Sequence, residues 1–332
     1  MNTPEAAWFL KGQTVEVRSE HEILSALEPD GTLGGLPFMP EMKRYCGRRF
    51  RVAGRSERTC VEGCRMRRVK NTVFLENVRC DGSFHDGCER GCLIFWKEAW
   101  LRPAEPSVLP EGSADAEGPS PELELPVMKG ERFWCQSTEL QKASTPLPWW
   151  DPRQYLRDLV LKEATFSQLA RQLWLLAYNR GRRAIGKTDI RGTNSGLNET
   201  ADATLHLEPG ELVEIRSKAE IEATLDVGGR NRGLEFTPDM VQYCGRRYRV
   251  AGRVEKIILE CSGRMRHIRD TVILENLVCD GRHARGCPRA NYHYWREAWL
   301  RRVESRKERT ATEIASLESP DRIVPSAVGN KP

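Results

Sequence analysis

The chain contains itself twice. Residues 12–102 recur over residues 210–302, displaced by 198 positions and then, after a one-residue insertion, by 199. Tyr45-Cys46-Gly47-Arg48-Arg49-Phe50-Arg51-Val52-Ala53-Gly54-Arg55 faces Tyr243-Cys244-Gly245-Arg246-Arg247-Tyr248-Arg249-Val250-Ala251-Gly252-Arg253. Thr72-Val73-Phe74-Leu75-Glu76-Asn77 faces Thr271-Val272-Ile273-Leu274-Glu275-Asn276, and Trp96-Lys97-Glu98-Ala99-Trp100-Leu101-Arg102 faces Trp295-Arg296-Glu297-Ala298-Trp299-Leu300-Arg301. About half of the aligned positions are identical, so this is a duplication. Positions kept in both copies serve something both copies need.

The duplication divides the chain of 332 residues. Residues 1–102 hold the first repeat and residues 209–303 the second. Residues 103–150 read as an acidic, Pro-rich linker, with six acidic and no basic residues over 103–126. Residues 151–186 read as helical. Asp151-Pro152-Arg153-Gln154 offers an N-cap with proline at the first helical position, and Thr165-Phe166-Ser167-Gln168 repeats the capping-box pattern. Residues 187–208 form a second polar linker, and 304–332 a charged tail expected to be disordered.

Within each repeat the pattern is that of short strands. Thr14-Val15-Glu16-Val17-Arg18 and Leu212-Val213-Glu214-Ile215-Arg216 alternate apolar and polar, as half-buried strands do. Ser19 and Ser217 sit where they can cap a short helix, and Pro40-Glu41-Met42 and Pro238-Asp239-Met240 suggest one helical turn. Arg49–Val52, Thr72–Glu76 and the Trp-rich segment supply further strands. Trp96, Trp100, Trp295 and Trp299 are expected in the core. Four or five short strands in about 90 residues make a small barrel. The layout resembles an SH3-like barrel, in particular that of the nitrile hydratase β subunit. There too a turn of helix precedes a glycine-led strand and a Trp-bearing segment closes the barrel. The repeats are also similar to those of a bacterial family carrying the same YCGRRFRV and FWKEAW strings, which implies no particular activity. The resemblance spans each repeat alone. It implies a mainly β protein of two tandem SH3-like barrels joined by a helical segment and flexible linkers.

Eleven cysteines constrain the chemistry. The N-terminus has no basic start followed by an apolar core, and no run approaches a membrane span, so the chain is expected in the cytoplasm, where thiols stay reduced. Cys46, Cys80 and Cys88 align with Cys244, Cys279 and Cys287, and the last two of each set bracket a seven-residue gap flanked by glycines. Cys92 aligns with Asn291. Two metal sites are therefore expected: Cys46/Cys80/Cys88/Cys92 in the first repeat, and Cys244/Cys279/Cys287 with His293 or His283 in the second. Structural zinc, tetrahedral on Cys and His, is the expected ion. An iron–sulfur cluster on the same thiolates is the alternative, and buried reduced thiols the bland reading. Cys60 and Cys64 have no clear counterparts, and Cys261 falls out of register.

The remaining signals are weaker. Gly181-Arg182-Arg183-Ala184-Ile185-Gly186-Lys187-Thr188 fits the phosphate-loop expression, but the mechanism needs a strand before it, and here a helix precedes. Arg48, Arg49 and Arg51 with their copies Arg246, Arg247 and Arg249 form a candidate anion-binding surface. The alternative is pairing with Glu16, Glu76 and Glu98 and their copies. The net charge of +5 permits an anionic partner without demanding one. The helix over 165–180, with the arginines after it, suits docking against a partner subunit or the repeats, or peripheral contact of 165–187 with an anionic membrane. No catalytic constellation recurs in both copies. The sequence thus points to a non-catalytic, metal-stabilised tandem-repeat binding or accessory protein of a bacterial assembly, working with a protein partner. RNA or DNA binding by the duplicated arginines is the first alternative. A metal-dependent enzyme with an open site in the second repeat is the other.

Overall fold

The computed structural model describes residues 8–62, 66–104, 124–148, 150–160, 165–184, 190, 192, 204–281 and 285–303. It is mainly β. Each repeat builds one five-stranded antiparallel sheet. In the first the order across the sheet is Trp96–Lys97, Thr72–Leu75, Arg49–Arg55, Thr14–Val17, Leu101–Pro103. In the second it is Tyr292–Arg296, Thr271–Val278, Arg247–Arg253, Leu212–Ile215, Leu300–Arg302. The strands at the two edges are consecutive in the chain, joined only by the 3-10 turns Glu98–Trp100 and Glu297–Trp299. Laid flat, five strands about 4.8 Å apart would hold their edges about 19 Å from each other. A three-residue 3-10 turn rising about 2 Å per residue covers well under half of that. The sheet must therefore be rolled. A register shift between Val52 and Gly54, repeated between Val250 and Gly252, supplies a bulge of the kind that bends a long strand.

The rolled faces enclose two cores. Val15, Val17, Val52, Leu75, Trp96 and Trp100 are fully buried in one, and Val213, Ile215, Leu274, Trp295 and Trp299 in the other. The period-2 pattern of the first strand explains its half of this, since Val15 and Val17 point inward while Glu16 faces out. Short helices Glu20–Ser25 and Lys218–Glu222 follow. Both start with reciprocal capping boxes, Ser19 with Glu22 and Ser217 with Glu220.

Residues 124–148, inside the stretch whose composition reads as linker, pack against the first repeat. A hairpin of Met128–Lys129 and Arg132–Phe133 leads into helix Gln136–Glu139. The side chain of the buried Gln136 accepts from Phe95 N at 2.8 Å and donates to Pro37 O at 3.0 Å and Phe95 O at 2.8 Å. Leu140 and Trp134 are buried beside it. The anchors are single residues scattered through a polar stretch, and no periodicity announces them. Beyond lie helices Arg153–Val160 and Phe166–Ala184. The capping box at Thr165 forms, with Thr165 N to Gln168 Oε1 at 2.8 Å and Gln168 N to Thr165 Oγ1 at 3.3 Å. Gly181 lies inside that helix, which leaves no strand before the phosphate-loop expression. Among the described residues no helix is long and apolar enough to cross a membrane.

The two repeats meet through equivalent residues, as the halves of a symmetric dimer do. Glu62 N donates to Glu260 Oε2 at 2.7 Å, and Glu260 N to Glu62 Oε2 at 3.0 Å. Arg90 donates to Ile258 O at 2.8 Å, and its counterpart Arg289 to Cys60 O at 2.9 Å. Ile258 N donates to Cys88 Sγ at 3.3 Å, and Cys60 N to Cys287 Sγ at 3.2 Å. One ion pair is uneven between the halves: Arg289 and Glu260 approach to 2.5 Å, both almost fully buried, while their counterparts Arg90 and Glu62 stand 3.6 Å apart.

Candidate metal centre

Three chain segments converge beside the first core. The 3-10 helix Pro40–Tyr45 carries Glu41 on its first turn. Cys80 follows the strand Thr72–Leu75 and is held by its own N–H on Cys92 O at 2.9 Å. His85 sits in the loop after it, whose backbone folds on itself: His85 N and Gly87 N both donate to Gly82 O, at 2.8 and 3.0 Å. The Cys80 thiol donates to Glu41 Oε1 at 3.2 Å, and His85 Nδ1 lies 3.3 Å from the same oxygen. One ligand atom from each of Glu41, Cys80 and His85 lies within 4.8 Å of the others.

The electrostatics suit a cation. Burial and then the charge of Glu41 push the Cys80 thiol far up. Burial works against charging His85, but the neighbouring Glu41 carboxylate outweighs it and raises its pKa. Two buried atoms have no hydrogen-bond partner, Glu41 Oε2 and His85 Nδ1. A buried polar atom left so costs about 1–3 kcal/mol. Meanwhile His85 Nε2 faces Trp134 O at 3.3 Å, which leaves the Nδ1 lone pair to point at the carboxylate and thiol. An imidazole anchored by one nitrogen on a carbonyl and offering the other is the arrangement of metal-bound histidines. The group could hold a metal ion.

A related trio sits in the second repeat. His293 Nε2 lies 3.2 Å from Asp239 Oδ2, and both atoms are buried without a hydrogen bond. Burial chiefly, with help from Asp239, pushes Cys279 up to about 12. The acid and thiol are the counterparts of Glu41 and Cys80, but the imidazole comes from the strand Tyr292–Arg296, where the first repeat has Ile94. Among the described residues only the first trio draws all three ligand atoms together.

The cysteines named from the sequence are distributed more widely. Cys80, Cys88 and Cys92 line one cavity of about 30 Å³, together with Cys135. Cys46 and Cys244 rest partly buried against the two cores. Cys88 and Cys287 turn to the other repeat, where each accepts a backbone N–H; Cys287 Sγ also lies 3.2 Å from Cys60 Sγ. His283 lies outside the described residues. Of the arginines, Arg49 pairs with Glu16 and Arg247 with Glu214, each at 3.1 Å. Arg102 and Arg301 share those carboxylates. Arg249 donates to Gly210 O at 2.8 Å, and Arg48, Arg51 and Arg246 are exposed. Glu41, Asp239 and His85 were not legible as site residues. The signal available was a carboxylate kept at one position of both copies.

The loop between Cys80 and Cys88 depends on a glycine. Gly82 has φ +70°, and a Cβ there would stand 2.2 Å from Cys88 O and 2.6 Å from Cys88 N. Gly281 repeats this at 2.3 Å from Cys287 O. Gly82→Ala is therefore expected to cost about 3 kcal/mol in urea unfolding, from strain plus collision with backbone that cannot yield. Gly47, at φ +71° with open space around it, isolates the strain alone. Gly47→Ala should cost about 1 kcal/mol. Equal costs for the two would refute the close approach at Gly82.

No family model, curated protein or solved structure matches the chain.

Proposed function

We propose that this is a non-catalytic binding protein built from two SH3-like modules, the first of them fastened by a structural metal ion, with zinc the ion its donors suit. The carrying observation is the closure of the Glu41–Cys80–His85 group. Glu41 and His85 are 2% and 1% exposed, so a substrate has no approach, whereas an ion there ties a 3-10 turn, a strand end and a loop together. The edge-to-edge strand order closed by a short 3-10 turn supports the SH3-like reading. Of this chain's own residues, Glu41, Cys80 and His85 would hold the ion, and Trp134 O fixes the imidazole. The loop so fastened also carries Cys88, which receives a backbone N–H from the second repeat. An accessory role beside a protein partner agrees with this: exposed Phe166, Leu173, Trp174 and Tyr178 give the long helix an uncovered apolar side.

Elemental analysis of the purified protein should find about one zinc per chain. His85→Ala and Cys80→Ser should each lose it and open the 80–92 loop to protease. A chain grown with ample zinc that carries no transition metal, or a Cys80→Ser variant that keeps its metal, would remove this reading.

A further inference from the structure

The two repeats treat one groove differently. In the first, Thr145–Pro146 adds antiparallel to the outer edge of strand Arg67–Arg68, on the side away from its hairpin partner Arg58–Thr59. Leu147 N donates to Met66 O at 2.9 Å. The Arg67 guanidinium is spent on that segment, donating to Gln141 O at 2.9 Å, Ser144 O at 2.7 Å and Ser144 Oγ at 2.8 Å. Ala143 lies 3.4 Å from where a Cβ on Gly35 would stand. Residues 141–147 thus fill the space between the strand and the hairpin of Thr32–Leu33 and Leu36–Pro37.

In the second repeat the matching hairpin is Lys256–Ile258 with Met265–His267, and among the described residues no strand covers its outer edge. A groove of about 820 Å³ lies there. Arg266 stands where Arg67 does, and Arg269, Arg296 and Arg232 stand where the first repeat has Lys70, Lys97 and Gly34. Arg266 and Arg269 are exposed, and their guanidiniums have no acceptor among the described residues. Arg296 is 5% exposed, yet among the described residues it donates to the carbonyls of Asn231, Arg232 and Arg269 and the Thr271 hydroxyl, and forms no ion pair with a carboxylate. Burial, then the charge of Arg232, pushes it down to about 10. Asp270, paired with Arg232 at 3.0 Å, is among the described residues the one carboxylate lining the groove.

We propose that this groove binds an extended acidic peptide segment, which adds as a strand to the outer edge of Met265–His267 and sets its carboxylates on Arg266 and Arg269. The first repeat displays the mode, since a peptide already occupies its groove by strand addition. The replacement of Gly34 and two lysines by arginines selects the charge, because guanidinium forks match carboxylates. A single-stranded nucleic acid is the lesser fit: among the described residues no Phe, Tyr or Trp lines the groove for a base to stack on. The inference deepens the reading of the protein as a binding module and is independent of the metal.

Fluorescence anisotropy on the full-length protein tests it, with a labelled peptide of alternating Glu and Thr about ten residues long. Saturable binding is expected, and none for the same peptide with Lys in place of Glu. Arg266→Glu with Arg269→Glu should weaken binding by at least about tenfold while leaving the circular dichroism melt unchanged, both side chains being exposed. N-methylation of alternate amides of the peptide should weaken it by a similar factor, because it removes the strand-edge hydrogen bonds. The proposal falls if no saturable binding occurs, or if either change leaves affinity intact. It falls equally if a single-stranded oligonucleotide of matched charge displaces the peptide at lower concentration than the peptide itself binds. Metal content measured on the same preparation separates any of these failures from failure of the metal reading.

Discussion

Glu260→Gln should loosen the two repeats from each other and destabilise the chain by about 3–5 kcal/mol, the usual cost of removing one partner from a buried ion pair. Glu260 is 4% exposed and stands at the centre of the repeat interface. It accepts from Arg289 at 2.5 Å and Ser137 Oγ at 2.7 Å, and it lies 4.0 Å from Arg90. The amide keeps the shape and the Ser137 contact but leaves the Arg289 charge buried without its counterion. Burial opposes ionisation of Glu260, yet Arg289 and Arg90 more than offset it and hold its pKa down to about 2. A carboxyl with a depressed folded-state pKa stabilises fully above its ordinary value near 4.5. That contribution fades as pH falls from there toward about 2. Urea titrations between neutral pH and pH 3 should show the wild type losing stability through this window and the Glu260→Gln variant losing less. The pseudo-equivalent Glu62 is the internal control: its side chain is 40% exposed and 3.6 Å from Arg90, so Glu62→Gln should cost under about 1 kcal/mol. Matching losses in the two variants would mean that the Arg289 pair does not hold the interface.

The second large effect is expected at the turns that join the sheet edges. Trp100→Ala and Trp299→Ala should each cost about 3–5 kcal/mol, the range for emptying a buried large aromatic site. Both indoles are fully buried. Trp100 meets Phe38 edge-on at 5.4 Å, and Trp299 meets Phe236 at 5.3 Å. Their polar ends differ. Trp299 Nε1 donates to Thr224 Oγ1 at 3.0 Å, whereas Trp100 Nε1 is buried without a partner. Replacement by Phe should therefore cost more at 299 than at 100, by roughly the 0.5–1.5 kcal/mol of a net hydrogen bond. Urea midpoints at constant slope measure this. A loss below about 1 kcal/mol for Trp299→Ala would show that the turn packs loosely and does not close the sheet.

What could be read from the sequence was whatever repeats at short range. Val15 and Val17, the capping serines Ser19 and Ser217 and the four buried tryptophans each carry their signal within a few residues. The Glu41–Cys80–His85 group does not. Its members lie in three segments, and comparing the copies hid two of them. Glu41 faces Asp239, which counts as a difference although the chemistry is kept. His85 faces Ala284, while the second repeat takes its imidazole from His293, opposite Ile94. Retention has two readings at Cys88 and Cys287. Both are kept, but their sulfurs face the twin repeat, and a residue retained for contact between copies looks the same in sequence as one retained for a ligand within each. Residues 124–148 escaped for a third reason. Their hold on the first repeat is a few single anchors such as Gln136, and the surrounding composition is that of solvated chain.

The near-symmetric contact between the repeats has a further consequence because both halves belong to one chain. Two separate subunits meeting through such a face would part on dilution, and their melting temperature would rise with concentration. Here the halves are tethered through residues 103–208, so each keeps an effective local concentration set by that connection, whatever the bulk value. Association becomes a first-order event, and it no longer requires the two faces to stay identical. That freedom is visible in the outcome: one half has closed its edge with a strand from the chain's own middle, and the other carries four arginines along the corresponding edge.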